Sequence, residues 1–456
     1  MIEPTRTLGA RTAVAITAIA LLVGACSSGN ASPAASAPAA STPAQSAAPG
    51  ASGSAAPSAG GEDLTGQSVT VIGTWGGTEQ DAFFAMVKPW EDQTGAKVKY
   101  TGTRDLNTVL TTGVASGVLP DLAGLPGPGQ MVEWADSLID LGGVLDTATY
   151  TSETAAPLVE LGTVNGKLVG VFIKTAVKGL IWYSPKLHDY AASPPKTWDD
   201  LTSQAAANKG NAESTWCVGL ESGAASGWPG TDWIEDIVLR TAGPQKYDDW
   251  WAGKLKWSSP EIKGAFEEFG KVVADAYGGS NTVLTTNFEK GGDPLFTDPP
   301  GCEFHHQASF ITGLGAFKEA KSGTDYNFFP FPDIDPQYTG AVEGAGDLFG
   351  MFHDTPEAKS LIKYLVTAPA QNIWVKAGGA LSANKNATDY PDNIAKRSAE
   401  LLTNAKIFAF DASDLMPSAM NSAFWQGILD FTKDQSKLDE ILTNLDKVQK
   451  DAYSGS

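Results

Sequence analysis

The chain has 456 residues and a formal charge of −20, from 32 Lys and Arg against 52 Asp and Glu. So acidic a surface repels phosphate backbones and argues against a nucleic-acid partner, and no apolar run beyond the N-terminus is long enough to span a bilayer, which excludes a polytopic membrane protein. A hydrophobic fraction of 42% is ample for sizeable cores and the length suggests two or three domains, while the three cysteines are too few for a disulfide scaffold and too scattered for a zinc knuckle.

The N-terminal stretch reads as an address. Arg6 and Arg11 precede the apolar run Ala13 to Val23, so residues 1–25 read as an export signal. Val23-Gly24-Ala25-Cys26 resembles the bacterial lipobox, with Cys26 as the lipidated residue. From Ser27 to about Gly61 the chain is nearly all Ala, Ser, Pro and Gly, which cannot offset its ordering entropy, so residues 26–63 read as a flexible tether. The expected location is the extracellular face of the bacterial cytoplasmic membrane, with the protein lipid-anchored through more than one acyl chain.

A strand is expected at Ser68–Ile72, leading into Gly73-Thr-Trp-Gly-Gly77. Thr78-Glu-Gln-Asp81 has the spacing of a capping box, and Phe83, Met86, Val87 and Trp90 follow at helical intervals, with Pro89 as a kink and Gly95 as a stop. Lys97–Tyr100 reads as a second strand, Leu106 to Val114 as a helix, and Leu119 to Leu122 as the approach to a third strand. Asn165-Gly166 is a hairpin turn, followed by strands at Leu168–Ile173 and Gly179–Tyr183. Thr197 and Thr355-Pro356 start further helices. The alternation predicts an α/β fold with mostly parallel sheets.

Several segments carry a resemblance. They are Trp75-Gly76 ahead of a helix, Ala115-Ser-Gly-Val-Leu-Pro-Asp121, and Gly170-Val-Phe with Leu180-Ile-Trp-Tyr183-Ser184. The most specific is Met416-Pro417 followed by Ser422-Ala-Phe-Trp425, and Glu221 to Trp233 is similar to an alpha-glucoside-type subgroup. Over about residues 66–453 the chain resembles the extracellular solute-binding lipoproteins of ABC importers, in the carbohydrate-binding family that includes maltose-binding protein. The resemblance implies a two-lobed fold with a hinge crossed three times and a ligand cleft between the lobes. Lobe one would take residues 66–176 plus 338–405, and lobe two 177–330 plus 411–456. The chain departs from maltose-binding protein at Leu125-Pro-Gly-Pro128, where the relative has an aromatic and charged cluster, so maltose itself is in doubt as the ligand.

A sugar site needs flat apolar faces and a few fixed polar groups. Trp75 in a Gly-rich turn, Trp228 among glycines and Pro229, and Trp425 by its motif are the candidate stacking residues, with Phe310 as a further cleft aromatic. Trp90, Trp134, Trp198, Trp250 and Trp257 read as core. Glu79, Asp121, Lys174, Lys178, Glu221, Asp232, His306 and Asp347 are the polar candidates, each with a structural alternative such as a helix cap or a solvated edge. Once Cys26 is lipidated, the two thiols left in an exported protein, Cys217 and Cys302, most simply pair. Adjacent His305 and His306 point apart and have no third ligand at sensible spacing, so no metal and no cofactor is expected. The expected partners are a small sugar, ABC permease subunits and, through the anchor, the membrane, with the protein a monomer. An exported glycoside hydrolase is the alternative, since it too would have a Trp-rich, acidic cleft.

Overall fold

The computed structural model describes residues 62–454 except 126 and 209. The export signal, the Cys26 lipobox and nearly all of the tether lie outside the described residues. No helix among the described residues is long and apolar enough to cross a membrane.

The strand periodicity translates directly into the first sheet. β1 (Ser68–Gly73) pairs in parallel with β2 (Lys97–Gly102) and β3 (Leu122–Leu125). The Asn165-Gly166 turn has positive φ at both residues, as its type demands, and joins β4 (Thr163–Val164) to β5 (Lys167–Leu168). β6 (Gly170–Val177) runs on into β7 (Leu180–Tyr183), which belongs to a second sheet. That sheet is completed by β8 (Ser214–Cys217), β9 (Cys302–Gln307) and β10 (Asn327–Pro330), in the order β10-β7-β9-β8. The chain returns through β11 (Ala341–Met351), which pairs with β3, β6 and β12 (Ile407–Phe410) of the first sheet. It then leaves again for the helix Ser418–Lys433, which packs on the second core. The result is a two-lobed α/β fold in which the backbone passes between sheets at β6–β7, β10–β11 and after β12.

Both sheets are mixed, which corrects the expectation of mostly parallel pairing. β1–β2, β1–β3, β11–β12 and β8–β9 are parallel, whereas β11 runs antiparallel to β3 and β6, and β7 antiparallel to β9 and β10. The cause is the repeated crossing: a strand that re-enters from the other sheet arrives with reversed direction, which periodicity cannot register. The capping box is also corrected. The helix Gly77–Thr94 starts from Gly76 with no side-chain cap, and the Thr78 hydroxyl instead accepts from Lys318 Nζ at 3.3 Å. Thr197 and Thr355 do cap their helices, accepting from the backbone N–H groups of Asp200 and Ala358.

Each lobe has its own apolar core. Trp90 and Trp134 are buried in the first, and Trp198, Trp250 and Trp257 in the second, where Trp198 lies parallel to Trp216 at 5.9 Å. A Cys217–Cys302 disulfide joins neighbouring strands β8 and β9.

Candidate functional site

The site begins with two lysines on one strand. β6 is buried along its whole length, yet it carries Lys174, and Lys178 follows its last residue. Four residues apart on extended chain, the two side chains project to the same face. Lys174 Nζ lies 2.5 Å from Glu79 Oε1 and 3.4 Å from Asp347 Oδ2. Its ammonium stands 5.0 Å from the Trp374 ring centre and 5.6 Å from that of Phe310. Lys178 Nζ makes a two-pronged contact to Asp232 at 2.8 and 2.9 Å and a third to Asp411 at 2.8 Å, 5.0 Å from the Trp228 ring centre. Each lysine therefore holds a pair of carboxylates in a fixed orientation.

Burial dominates the electrostatics of these groups. It disfavours charge on both lysines, but the facing carboxylates outweigh it and both ammonium groups are held above their ordinary range. Burial pushes Asp232 up to about 7 against the pull of Lys178, and raises Asp347 against the pull of Lys174. Burial also opposes ionisation of Asp411, but Lys178 and the Ser413 hydroxyl hold its carboxyl below the usual range. Behind them Glu343 on β11 is fully buried, and neither of its oxygens has a hydrogen-bond partner among the described residues. Burial and neighbouring carboxylates push it well above the carboxylate range. Oxygens of Asp232, Glu343 and Asp411 lie within 4.8 Å of one another, a spacing that suits a cation. Lys178 already supplies a positive charge against two of them.

The two lysines and their four carboxylates, but not Glu343, open onto a cavity of about 220 Å³. Of the residues expected from sequence, Trp75, Glu79, Lys174, Lys178, Trp228, Asp232, Phe310, Asp347 and Trp425 line it. They differ in how they do so. Trp75 presents little surface: it is 3% exposed, packs edge-on to Trp374 at 4.7 Å, and donates from Nε1 to Asp347 Oδ2 at 3.0 Å. Trp228, set among glycines and Pro229, is the first residue of the helix Trp228–Thr241, against Phe288 at 5.1 Å. Gly227 makes that start possible: its φ is +106°, and a Cβ there would lie 2.3 Å from the Trp425 carbonyl oxygen. Trp425 is half-buried, and its Nε1 has no partner among the described residues.

Three expected residues fall outside the lining. Asp121 precedes β3, which places it at the amino end of the parallel strands, whereas Trp75 follows the carboxyl end of β1. There it accepts from the Thr70 N–H and hydroxyl, both at 2.7 Å, and pairs with His353. His306 faces the helix side of β9, buried 4.2 Å from the Trp233 ring and 2.7 Å from Asp236 Oδ2. Glu221 braces a loop instead, accepting from the Gly223 N–H and Asn287 Nδ2 at 2.7 Å each. The adjacent His305 turns the other way, to the Cys217 carbonyl, and burial pulls its pKa down to about 4. Sequence reasoning missed Arg104, Asn107, Gln130, Phe288, Asp411 and Asp414, all on the lining. Asp411 directly follows β12, a strand-to-loop position like that of Trp75, and that signal was available.

Comparison with known proteins places this geometry. The description "bacterial extracellular solute-binding protein" matches residues 76–372. The chain is 37% identical over 377 residues to the osmoprotective compounds-binding protein GgtB of Synechocystis, covering 80% of this chain and 88% of that one. It is 35% identical over 399 residues to the alpha-glucosides-binding periplasmic protein AglE of Rhizobium meliloti, covering 83% and 86%. Among solved structures, a chitin oligosaccharide binding protein superposes with a TM-score of 0.73 at 21% identity, over 85% of this chain and 99% of the other. The maltose-bound MalE3 of T. maritima superposes at 0.66 and 20%, over 84% and 99%. Its two-lobed fold, and a match over more than half of its length, show that the chain belongs to the bacterial extracellular solute-binding protein family.

Proposed function

We propose that this solute-binding protein is a non-catalytic receptor of an ABC importer that takes a small α-glucoside between its lobes and hands it to the permease. One observation carries the reading: the rings of Trp228, Phe310 and Trp425 surround carboxylates fixed by Lys174 and Lys178 in a single cavity. Rings cover the C–H faces of a sugar, and fixed carboxylates accept from its hydroxyls. A volume of about 220 Å³ lies below the roughly 300–1,000 Å³ usual for small-molecule sites, which favours one or two sugar rings over a long chain. The name of one relative, the alpha-glucosides-binding protein of Rhizobium meliloti, supports the ligand class. Membership of a binding family removes the basis for the hydrolase alternative.

In this reading the lobes are residues 66–176 plus 338–405 and residues 177–330 plus 411–456. Arg104 reaches across to Glu289 at 4.0 Å and stands 4.8 Å from the Phe288 ring centre, and Lys318 reaches Thr78. These contacts support a closed form whose population the ligand raises by touching both lobes. The lipobox supports anchorage through Cys26, and Cys26→Ser should release the protein into the medium. A thermal-shift screen over mono-, di- and trisaccharides tests the ligand, because binding raises stability as RT ln(1 + [L]/Kd). A rise with an α-glucoside, and recovery of that sugar intact, is expected. No shift with any sugar, or release of cleaved sugar, would refute the reading.

A further inference from the structure

The segment at which the chain departs from its maltose-binding relative has a structural consequence. Gly127 and Gly129 lie directly on the backbone that leaves β12. A Cβ on Gly127 would come within 2.4 Å of the Asp414 carbonyl oxygen, and one on Gly129 within 2.2 Å of that of Met416. This close approach seats the helix Pro128–Trp134 against the cavity and buries Gln130 in its wall at 3% exposure. Gln130 Nε2 donates to Asn107 Oδ1 on the helix Leu106–Ser116. The other half of each amide is unused: Gln130 Oε1 and Asn107 Nδ2 are both buried, and neither has a partner among the described residues.

An orphaned acceptor beside an orphaned donor is costly to keep, because a buried polar group without a partner forfeits its hydration. Turning both amides over exchanges their roles but still leaves one donor and one acceptor unused. A single group that satisfies both must donate and accept at once. A hydroxyl does so. An ammonium only donates, an ionised carboxylate or an ether oxygen only accepts, and a methyl does neither. Trp425 Nε1, unpartnered on the same cavity, adds a second donor.

We propose that Asn107 and Gln130 form a hydroxyl-reading subsite, in which one ligand hydroxyl accepts from Asn107 Nδ2 and donates to Gln130 Oε1. The inference rests on the sugar reading above and adds a selection rule to it. The site rejects a sugar whose hydroxyl at this point is removed or methylated, because both amides are then left buried and unpaired.

The test uses the full-length protein and titration calorimetry with maltose, trehalose and sucrose, carrying forward whichever of these disaccharides binds the parent chain. Gln130→Met and Asn107→Leu are each expected to weaken it by about 10- to 100-fold. The double variant should be little worse than the weaker single one, since one hydroxyl serves both side chains. The unliganded melting temperature of Gln130→Met should change little, because removal of the orphaned Oε1 offsets loss of the hydrogen bond to Asn107 Oδ1. Unchanged affinity in a folded variant, or fully additive losses, would overturn the subsite. A lower melting temperature at unchanged affinity would make the pair structural and overturn it as well. If Gln130→Met fails to fold, Asn107→Leu carries the test, because that side chain is only partly buried. If the parent chain binds none of the three sugars, the α-glucoside reading fails first and the subsite with it. If the parent binds and the variants bind equally, only the subsite fails.

Discussion

Trp425→Ala separates binding from folding at one residue. The Trp425 side chain meets no other aromatic ring among the described residues and stands outside the four apolar clusters, although the neighbouring Phe424 is central to one of them. Its backbone is held independently by the close approach of Gly227. Truncation should therefore cost folding less than about 1 kcal/mol. On the ligand side, one indole face is about 100 Å², half of what a buried Trp covers, and at ~25 cal/mol per Å² it contributes about 2.5 kcal/mol. The expected result is a roughly 70-fold rise in Kd with the unliganded melting temperature nearly unchanged. Trp75→Ala is the control. Trp75 packs on Phe83, Tyr100, Phe349 and Trp374, so its loss should cost about 3–5 kcal/mol of stability, or about 4–6 °C for a cooperative unit of about 390 residues. Calorimetry and thermal melts on the same samples read both quantities. If Trp425→Ala melts several degrees lower while binding normally, Trp425 is a packing residue and the stacking argument is wrong.

Glu343 makes stability depend on pH with a definite sign. Its folded carboxyl titrates well above the ordinary 4.5, so the folded state keeps a proton that the unfolded state has released. Stability should therefore fall as pH rises from about 4.5 toward neutrality, and Glu343→Gln should remove much of that slope, most visibly in urea melts at pH 7. A slope unchanged in the variant would assign the effect to other groups. The disulfide closes a segment of 85 residues, for which chain entropy gives about 4.5 kcal/mol, so the Cys217→Ser/Cys302→Ser double variant should unfold at markedly lower denaturant. A change below about 1 kcal/mol would contradict that account. Lys174→Met strands Glu79 and Asp347 without their cation and should cost about 3–5 kcal/mol. Recovery of stability in the triple variant Lys174→Met/Glu79→Gln/Asp347→Asn would show that the loss comes from stranded charge, and no recovery would refute it.

The fold class, many of the strands and several helix starts were legible because they rest on local patterns: alternation in β1, the Asn-Gly turn, and Thr before a helix. Strand direction was not, because it depends on where the chain comes back from the other sheet. Aromatic cavity residues were recognisable by their setting at strand ends and among glycines. Asp121 had a suitable residue type at the wrong end of the sheet. His306 failed for a different reason, since alternation along β9 turns it to the helix side. Gln130 and Asn107 were not legible as a pair, because the backbone of Asp414 and Met416, against which Gly127 and Gly129 seat Gln130, is distant in sequence. The two glycines stand within three residues of Gln130, but the backbone that they touch lies far outside any such window.

Mounting both lysines on a single strand works as a gauge. One carboxylate pair, Glu79 with Asp347, is held by Lys174 and the other, Asp232 with Asp411, by Lys178, and the two lysines stand four residues of extended backbone apart. A one-residue insertion among Thr175, Ala176 and Val177 would turn Lys178 to the opposite side of the strand and leave Lys174 where it is. Length changes at this crossing should therefore be far less tolerated than length changes in the surface turns of either lobe.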